Sequence, residues 1–123
     1  MAIQESGEMY LEAIYVLSLK SDGVHAIDVG EYLGFSKPSV SRALSILKSK
    51  NLITVDKNSH ISFTEDGKAI AERIYNRHLV IKDCLLKLGV SEAVAEDDAC
   101  KIEHVISDES VAAILSHINK YAK

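Results

Sequence analysis

Between Ser36 and Thr64 the apolar residues change their period twice, from helical to alternating and back to helical. Ser36 stands at a helix N-cap, with Pro38 in the first turn, where a missing backbone donor costs nothing. Val40, Ala43, Leu44 and Leu47 then recur at i, i+3, i+4 and i+7, one apolar helix face. From Leu52 the pattern becomes β-prone, in Ile53-Thr54-Val55 and His60-Ile61-Ser62-Phe63, split by Asp56-Lys57-Asn58-Ser59. Thr64 caps a further helix, with Glu65 and Asp66 at its positive end. A capped helix is thus followed at once by a two-stranded hairpin and another helix. This order predicts a winged helix-turn-helix.

The remaining segments are helical. Glu8 to Leu19 places Leu11, Ile14, Tyr15 and either Leu17 or Ser18 on one side, with Ser6 the expected N-cap and Gly23 a stop. A shorter helix is expected from about Ile27 to Leu33, followed by Gly34 where a sharp turn needs positive φ. The fourth helix is predicted from Glu65 to about Leu88, ending at Gly89, with two more over Ser91 to Val105 and Asp108 to Tyr121. The fold class is therefore mainly α: an N-terminal winged helix-turn-helix with a two-stranded wing, then a helical domain. The boundary is placed inside the long fourth helix near Arg73, giving domains 1–73 and 74–123. An apolar fraction of 47%, with one proline and six glycines, supplies an aliphatic core and fits helices better than many short strands.

A net charge of −4 looks unsuited to nucleic acid until it is divided along the chain. The first 35 residues carry Glu5, Glu8, Glu12, Asp22, Asp28 and Glu31 against Lys20 alone. Residues 36–50 carry Lys37, Arg42, Lys48 and Lys50 and no acid. A basic stripe on an acidic body predicts DNA contact through one element. Arg42 is the candidate for base reading, because a guanidinium pairs bidentately with guanine. Ser36, Ser39 and Ser41 can donate to phosphate or base, Lys37 and Lys48 suit phosphate, and Pro38 lies within the same segment. Lys57 and His60 on the wing are placed to reach the neighbouring backbone.

The second chemical signal is Cys100-Lys101-Ile102-Glu103-His104. Thiol, carboxylate and imidazole at i, i+3 and i+4 are expected on one helix face, and all three are common transition-metal ligands. Met9 and Glu12 share the i, i+3 spacing on the first helix, with Glu8 adjoining, and His78 lies on the fourth helix ahead of Lys82 and Asp83. Two cysteines, Cys84 and Cys100, are too few for a disulfide framework, and Cys84 before Leu85-Leu86 is expected in the core. With no signal peptide or long apolar span in view, a cytoplasmic protein with reduced thiols is expected.

Taken together, Met9-Tyr10-Leu11-Glu12-Ala13-Ile14-Tyr15, Ser36-Lys37-Pro38-Ser39-Val40-Ser41, Arg77-His78 and Ala99-Cys100-Lys101-Ile102-Glu103-His104 resemble the diphtheria toxin repressor family. That family includes iron-dependent repressors and manganese transport regulators. The resemblance implies a winged-helix domain, a helical dimerisation domain, and metal held between them. It also implies a homodimer on a palindromic DNA operator, with metal as co-repressor of metal-uptake genes. By position, Met9, Cys100, Glu103 and His104 match the primary metal site of iron-responsive members, and His78 matches an ancillary ligand. The pattern departs at Lys82, where an acid is expected, and at Glu96, where a histidine is expected; Glu96 still offers a carboxylate. Manganese-responsive members carry carboxylates where Met9 and Cys100 stand, while Glu12 matches a carboxylate they use. The ligand set is a hybrid. Since the chain stops at Lys123, it is expected to be a short form without the barrel-like third domain of longer members.

Sulfur at two positions tilts the expected metal toward Fe(II), with Mn(II) second. Val111, Ile114, Leu115 and Ile118, at helical spacing, are candidates for the dimer interface or for an intramolecular core. A rival reading keeps DNA binding and replaces the metal with thiol oxidation at Cys100. A metalloenzyme using Glu103 as base is disfavoured: there is no Gly-rich phosphate loop and no nucleophile–base pair, and the expectation is a non-enzyme.

Overall fold

In the computed structural model, residues 5–121 are described. The chain divides into two compact units, residues 1–72 and 73–123. The first holds α1 (Glu5–Lys20), α2 (Ala26–Leu33), α3 (Lys37–Ser49), β1 (Ile53–Val55) and β2 (Ile61–Phe63). The long α4 (Glu65–Lys87) runs through the division, and α5 (Glu92–Ile102) and α6 (Asp108–Tyr121) complete the second unit. Among the described residues, no helix is long and apolar enough to cross a membrane.

The first unit is a winged helix-turn-helix. Its core is aliphatic: Leu11 and Ile14 of α1, Val29 of α2, Val40, Leu44 and Leu47 of α3, and Leu52, Ile53 and Ile61 around the wing are all buried. Burying side chains of this size stabilises the fold by about 1.5–3 kcal/mol each. Two local devices turn the chain between helices. Gly34 takes φ 74° and closes α2 by donating to the Gly30 carbonyl at 2.8 Å. Ser36 then caps α3, its Oγ accepting from the Ser39 amide at 3.4 Å.

The wing is antiparallel, with Ile53 opposite Phe63 and Val55 opposite Ile61. Its turn is tied by Asp56, whose Oδ1 accepts from the amides of Asn58 (2.8 Å) and His60 (2.9 Å). His60 therefore belongs to the turn, and the second strand starts one residue later than its residue type suggests. A bridge from Val24 to Ile61 fastens the hairpin to the segment between α1 and α2. Thr64 joins wing to helix, donating to the Asn51 carbonyl (2.8 Å) and accepting from the Gly67 amide (3.1 Å).

Two further boundaries differ from expectation. Helix α1 already includes Ser6, so that serine is not its N-cap. Tyr10 packs into the core, at 5% exposure with its ring 5.8 Å from Phe35. Helix α5 ends at Ile102, three residues before Val105, with consequences for the metal ligands. In the second unit Ile74, Ile81, Ala95 and Ala99 are buried, whereas Cys84 is only half-buried.

Candidate metal centre and nucleic-acid interface

On α3, the apolar stripe Val40-Leu44-Leu47 faces the core and leaves the polar positions outside. Lys37, Pro38, Ser41, Arg42 and Lys48 are exposed, Ser39 is half-buried, and Lys57 is exposed on the wing turn. Lys37, Ser41, Ser45 and Lys48 line one groove of about 900 Å³ that reaches Glu31 of α2 and Val55 of the wing. Arg42, one residue past Ser41, projects from α3 outside that groove. Ser45 shares the groove face and was not singled out from the sequence, although it follows Ser41 by one helical turn. Ser36 is engaged at home, its hydroxyl also donating to Ser39 Oγ at 2.9 Å.

In the second unit the expected single face of Cys100, Glu103 and His104 is not formed. Helix α5 stops at Ile102; Glu103 is its C-cap, donating to the Ala99 carbonyl at 3.0 Å, and His104 lies beyond it. The cause is Arg77 on α4. Its Nη1 donates to the carbonyls of Glu103 (3.0 Å) and Ile106 (2.6 Å), and Nη2 pairs with the Asp108 carboxylate. Those contacts take up carbonyls released at the helix end and fix residues 103–108 against α4. Arg77 entered the sequence reading only as a neighbour of His78, because nothing in local spacing announces a partner 26 residues on.

His78 is the hub of the donor set. From a buried position on α4, its Nδ1 donates to Glu103 Oε1 at 2.7 Å and its Nε2 to Glu96 at 3.1 Å. Cys100, exposed in the last turn of α5, joins His78 and Glu96 in a cluster whose ligand atoms lie within 4.8 Å of one another. Hydrogen bonds to Cys100, then to Glu103 and Glu96, outweigh burial and push the His78 imidazole up to about 11. Glu96 is raised by burial but lowered more by its hydrogen bonds to Lys82 and His78, so its net shift is downward. The Lys82 ammonium lies 3.0 Å from Glu96 Oε1 and 3.9 Å from Glu92.

Glu103 is 1% exposed, and its Oε2 has no hydrogen-bond partner among the described residues. The Nε2 of His104, whose side chain is 3% exposed, lies 3.6 Å from that oxygen. A buried carboxylate oxygen without a donor carries an uncompensated desolvation cost. Carboxylate and imidazole side by side are donors that fit a divalent transition ion, while the Cys100 thiol groups with His78 and Glu96. In the first unit, Met9 and Glu12 lie one turn apart on α1, both half-buried.

Comparison with known proteins follows the same division. Residues 2–61 match the family model described as the iron dependent repressor N-terminal DNA binding domain. Residues 64–123 match the one described as the iron dependent repressor metal binding and dimerisation domain. The chain is 30% identical over 112 residues to the transcriptional regulator MntR of Salmonella typhimurium, covering 91% of this chain and 71% of that one. It is 28% identical over 121 residues to the diphtheria toxin repressor of Corynebacterium jeikeium, covering 96% of this chain and 50% of that protein. Among solved structures, the manganese regulator SloR superposes with a TM-score of 0.82 at 27% identity, over 97% of this chain and 55% of that one. This chain thus spans about half the length of two of these relatives, and all three are described as regulators or repressors.

Proposed function

The chain belongs to the iron-dependent repressor family, and from that premise we propose that it is a metal-dependent DNA-binding regulator that represses metal-uptake genes. Fe(II) is the favoured co-repressor and Mn(II) the second. The observation that carries the reading is the buried Oε2 of Glu103, beside His104 and without a hydrogen-bond donor among the described residues. Around it the candidate ligands are Cys100, Glu103 and His104, with His78 and Glu96 adjoining; Met9 and Glu12 enter on residue type and family resemblance. A divalent ion, when bound, supplies positive charge to the Glu103 carboxylate, which among the described residues otherwise has only the neighbouring imidazoles of His78 and His104. His78 must give up one of its two carboxylate partners to ligate, and Glu103 turns its orphaned oxygen to use. Thiol and thioether donors at Cys100 and Met9 support Fe(II) over Mn(II).

On the DNA side, Lys37, Ser41 and Lys48 would follow the phosphates, Arg42 would read a base edge, and Lys57 would touch the backbone from the wing. A homodimer in the cytoplasm on a palindromic operator fits a module that reads few bases alone. Exposed Leu79, Leu86, Leu88 and Leu115 in the second unit leave apolar surface for such a partner.

Fluorescence anisotropy with a selected duplex, under anaerobic conditions, tests the reading. Fe(II) should raise DNA affinity and a chelator should abolish the gain. Equal activation by Mn(II) at cellular concentrations overturns the choice of iron, and indifference to every metal overturns the metal-dependent reading. The exposure of Cys100 beside His78 favours one rival, a thiol-oxidation sensor. In that case Cys100→Ser abolishes the response while His104→Ala leaves it intact; a metal site is damaged by both.

A further inference from the structure

Lys82 extends from α4 toward two acids one turn apart on α5, Glu92 at 3.9 Å and Glu96 at 3.0 Å. Glu96 is also held by His78, with each carboxylate oxygen 3.1 Å from Nε2. Its oxygens are therefore divided between an ammonium and an imidazole before any ion arrives. Of the three donors in the His78–Glu96–Cys100 cluster, Glu96 and a deprotonated Cys100 would supply the negative charge a cation needs, and Glu96 is already paired with an ammonium. An ion ligated there would lie within a few ångströms of the Lys82 charge, and repulsion with a divalent ion is double that with a monovalent one. Lysine offers three donors and no lone pair while charged, so it cannot itself ligate.

The geometry points to Lys82 as the residue that sets metal stoichiometry: its tethered ammonium takes a cation's place at the His78–Glu96–Cys100 cluster, so each chain binds one divalent ion, not two. The inference rests on the metal-dependent reading above and adds to it a count and a residue that controls the count. The same contact gives Lys82 a second duty. It holds Glu96 against His78 without metal, so this corner of the second unit is already ordered before the activating ion binds. Only the charge of Lys82 is needed for exclusion, which separates this role from a purely structural one.

Anaerobic titration of the full chain with Co(II), with bound cobalt counted after equilibrium dialysis, tests the assignment. Wild type and Lys82→Arg should each bind one Co(II) per chain. Lys82→Gln keeps a hydrogen-bond donor near Glu96 without the charge, and Lys82→Glu adds a carboxylate; both should bind two. The second ion should bind at least about tenfold more tightly than to wild type, within the range typical of changes beside metal ligands. Adding Glu96→Gln to Lys82→Gln should remove the second ion and leave the first. The Lys82 side chain is 24% exposed, so these changes are compatible with folding, which circular dichroism of each variant checks. Two ions in wild type, or one in both charge-removing variants, overturns the role of Lys82 while leaving metal dependence intact. No saturable cobalt in any variant overturns both.

Discussion

Arg77 Nη1 donates to the backbone carbonyl of Glu103 at 3.0 Å, joining α4 to the residue that caps α5. The same nitrogen reaches Ile106 O at 2.6 Å, so one guanidinium holds both sides of His104. Through the backbone of residues 103–106, the Arg77 side chain positions two candidate ligands, Glu103 and His104, without being one. The Nε of Arg77 is buried without a partner among the described residues, so the guanidinium spends its contacts on this segment alone.

Replacing Arg77 should therefore act on metal binding and on stability together. Arg77→Ala removes two charge-assisted bonds to carbonyls and the pairing with Asp108, at a cost of about 2–3 kcal/mol. It should weaken Co(II) binding by about 10–100-fold, as loss of a ligand-orienting partner does. Arg77→Lys keeps the charge but cannot span both carbonyls, and should recover less than half of either loss. Urea unfolding and cobalt titration of the two variants check this; unchanged cobalt affinity in Arg77→Ala would remove its positioning role.

The same cluster gives an acid dependence. The Arg77 hydrogen bond, then the charges of Arg77 and Arg73, lower the Asp108 carboxyl below its ordinary value of 3.8. A group with a lowered folded pKa stabilises fully above its unfolded value, and that contribution is lost as pH falls through the folded one. Stability of the metal-free chain should hold from neutral pH to about pH 4 on this account, then decline. Asp108→Asn should be less stable at pH 7 and should show a shallower decline between about pH 4 and 2. Matching urea midpoints at both ends of that range would exclude the Arg77–Asp108 pair as a source of acid sensitivity.

Elements governed by neighbours in sequence were legible from residue types. Ser36, Pro38 and the Val40-Leu44-Leu47 stripe announce α3 because cap, first turn and apolar face all lie within a dozen residues. Gly34 and Thr64 mark turn and cap for the same reason. The end of α5 was not legible, because what closes it is a guanidinium on another helix rather than a glycine or proline after Ile102. Spacing alone therefore put Cys100, Glu103 and His104 on one face, while the structure turns Cys100 toward His78 and Glu96. The donor types were readable; their grouping depends on contacts spanning about 25 residues, such as His78 to Glu103.

Gly67 offers a test of the wing's attachment. A Cβ there would lie 1.8 Å from the Leu52 carbonyl oxygen and 2.8 Å from its carbon, both backbone atoms that cannot step aside. The start of α4 and the entry to β1 would have to separate. Gly67→Ala should cost about 3 kcal/mol, the upper end of overpacking effects, despite alanine's better helix propensity. Thermal unfolding decides it, and a variant as stable as wild type would show that this approach is readily relaxed.

The groove face and Arg42 should separate in DNA binding. Lys48 lines the groove with Lys37 and Ser41, whereas Arg42 projects outside it. A phosphate contact releases counterions, so Lys48→Ala should weaken all sequences alike and reduce the salt slope of log affinity by about 1. A base contact discriminates instead, so Arg42→Ala should cost about 1–3 kcal/mol on the best site and little on nonspecific duplex. Titrations at several salt concentrations on both duplexes distinguish these signatures. If Arg42→Ala also lowers the slope and leaves specificity unchanged, Arg42 is a phosphate contact, and base reading passes to the groove residues, Ser41 and Ser45 first.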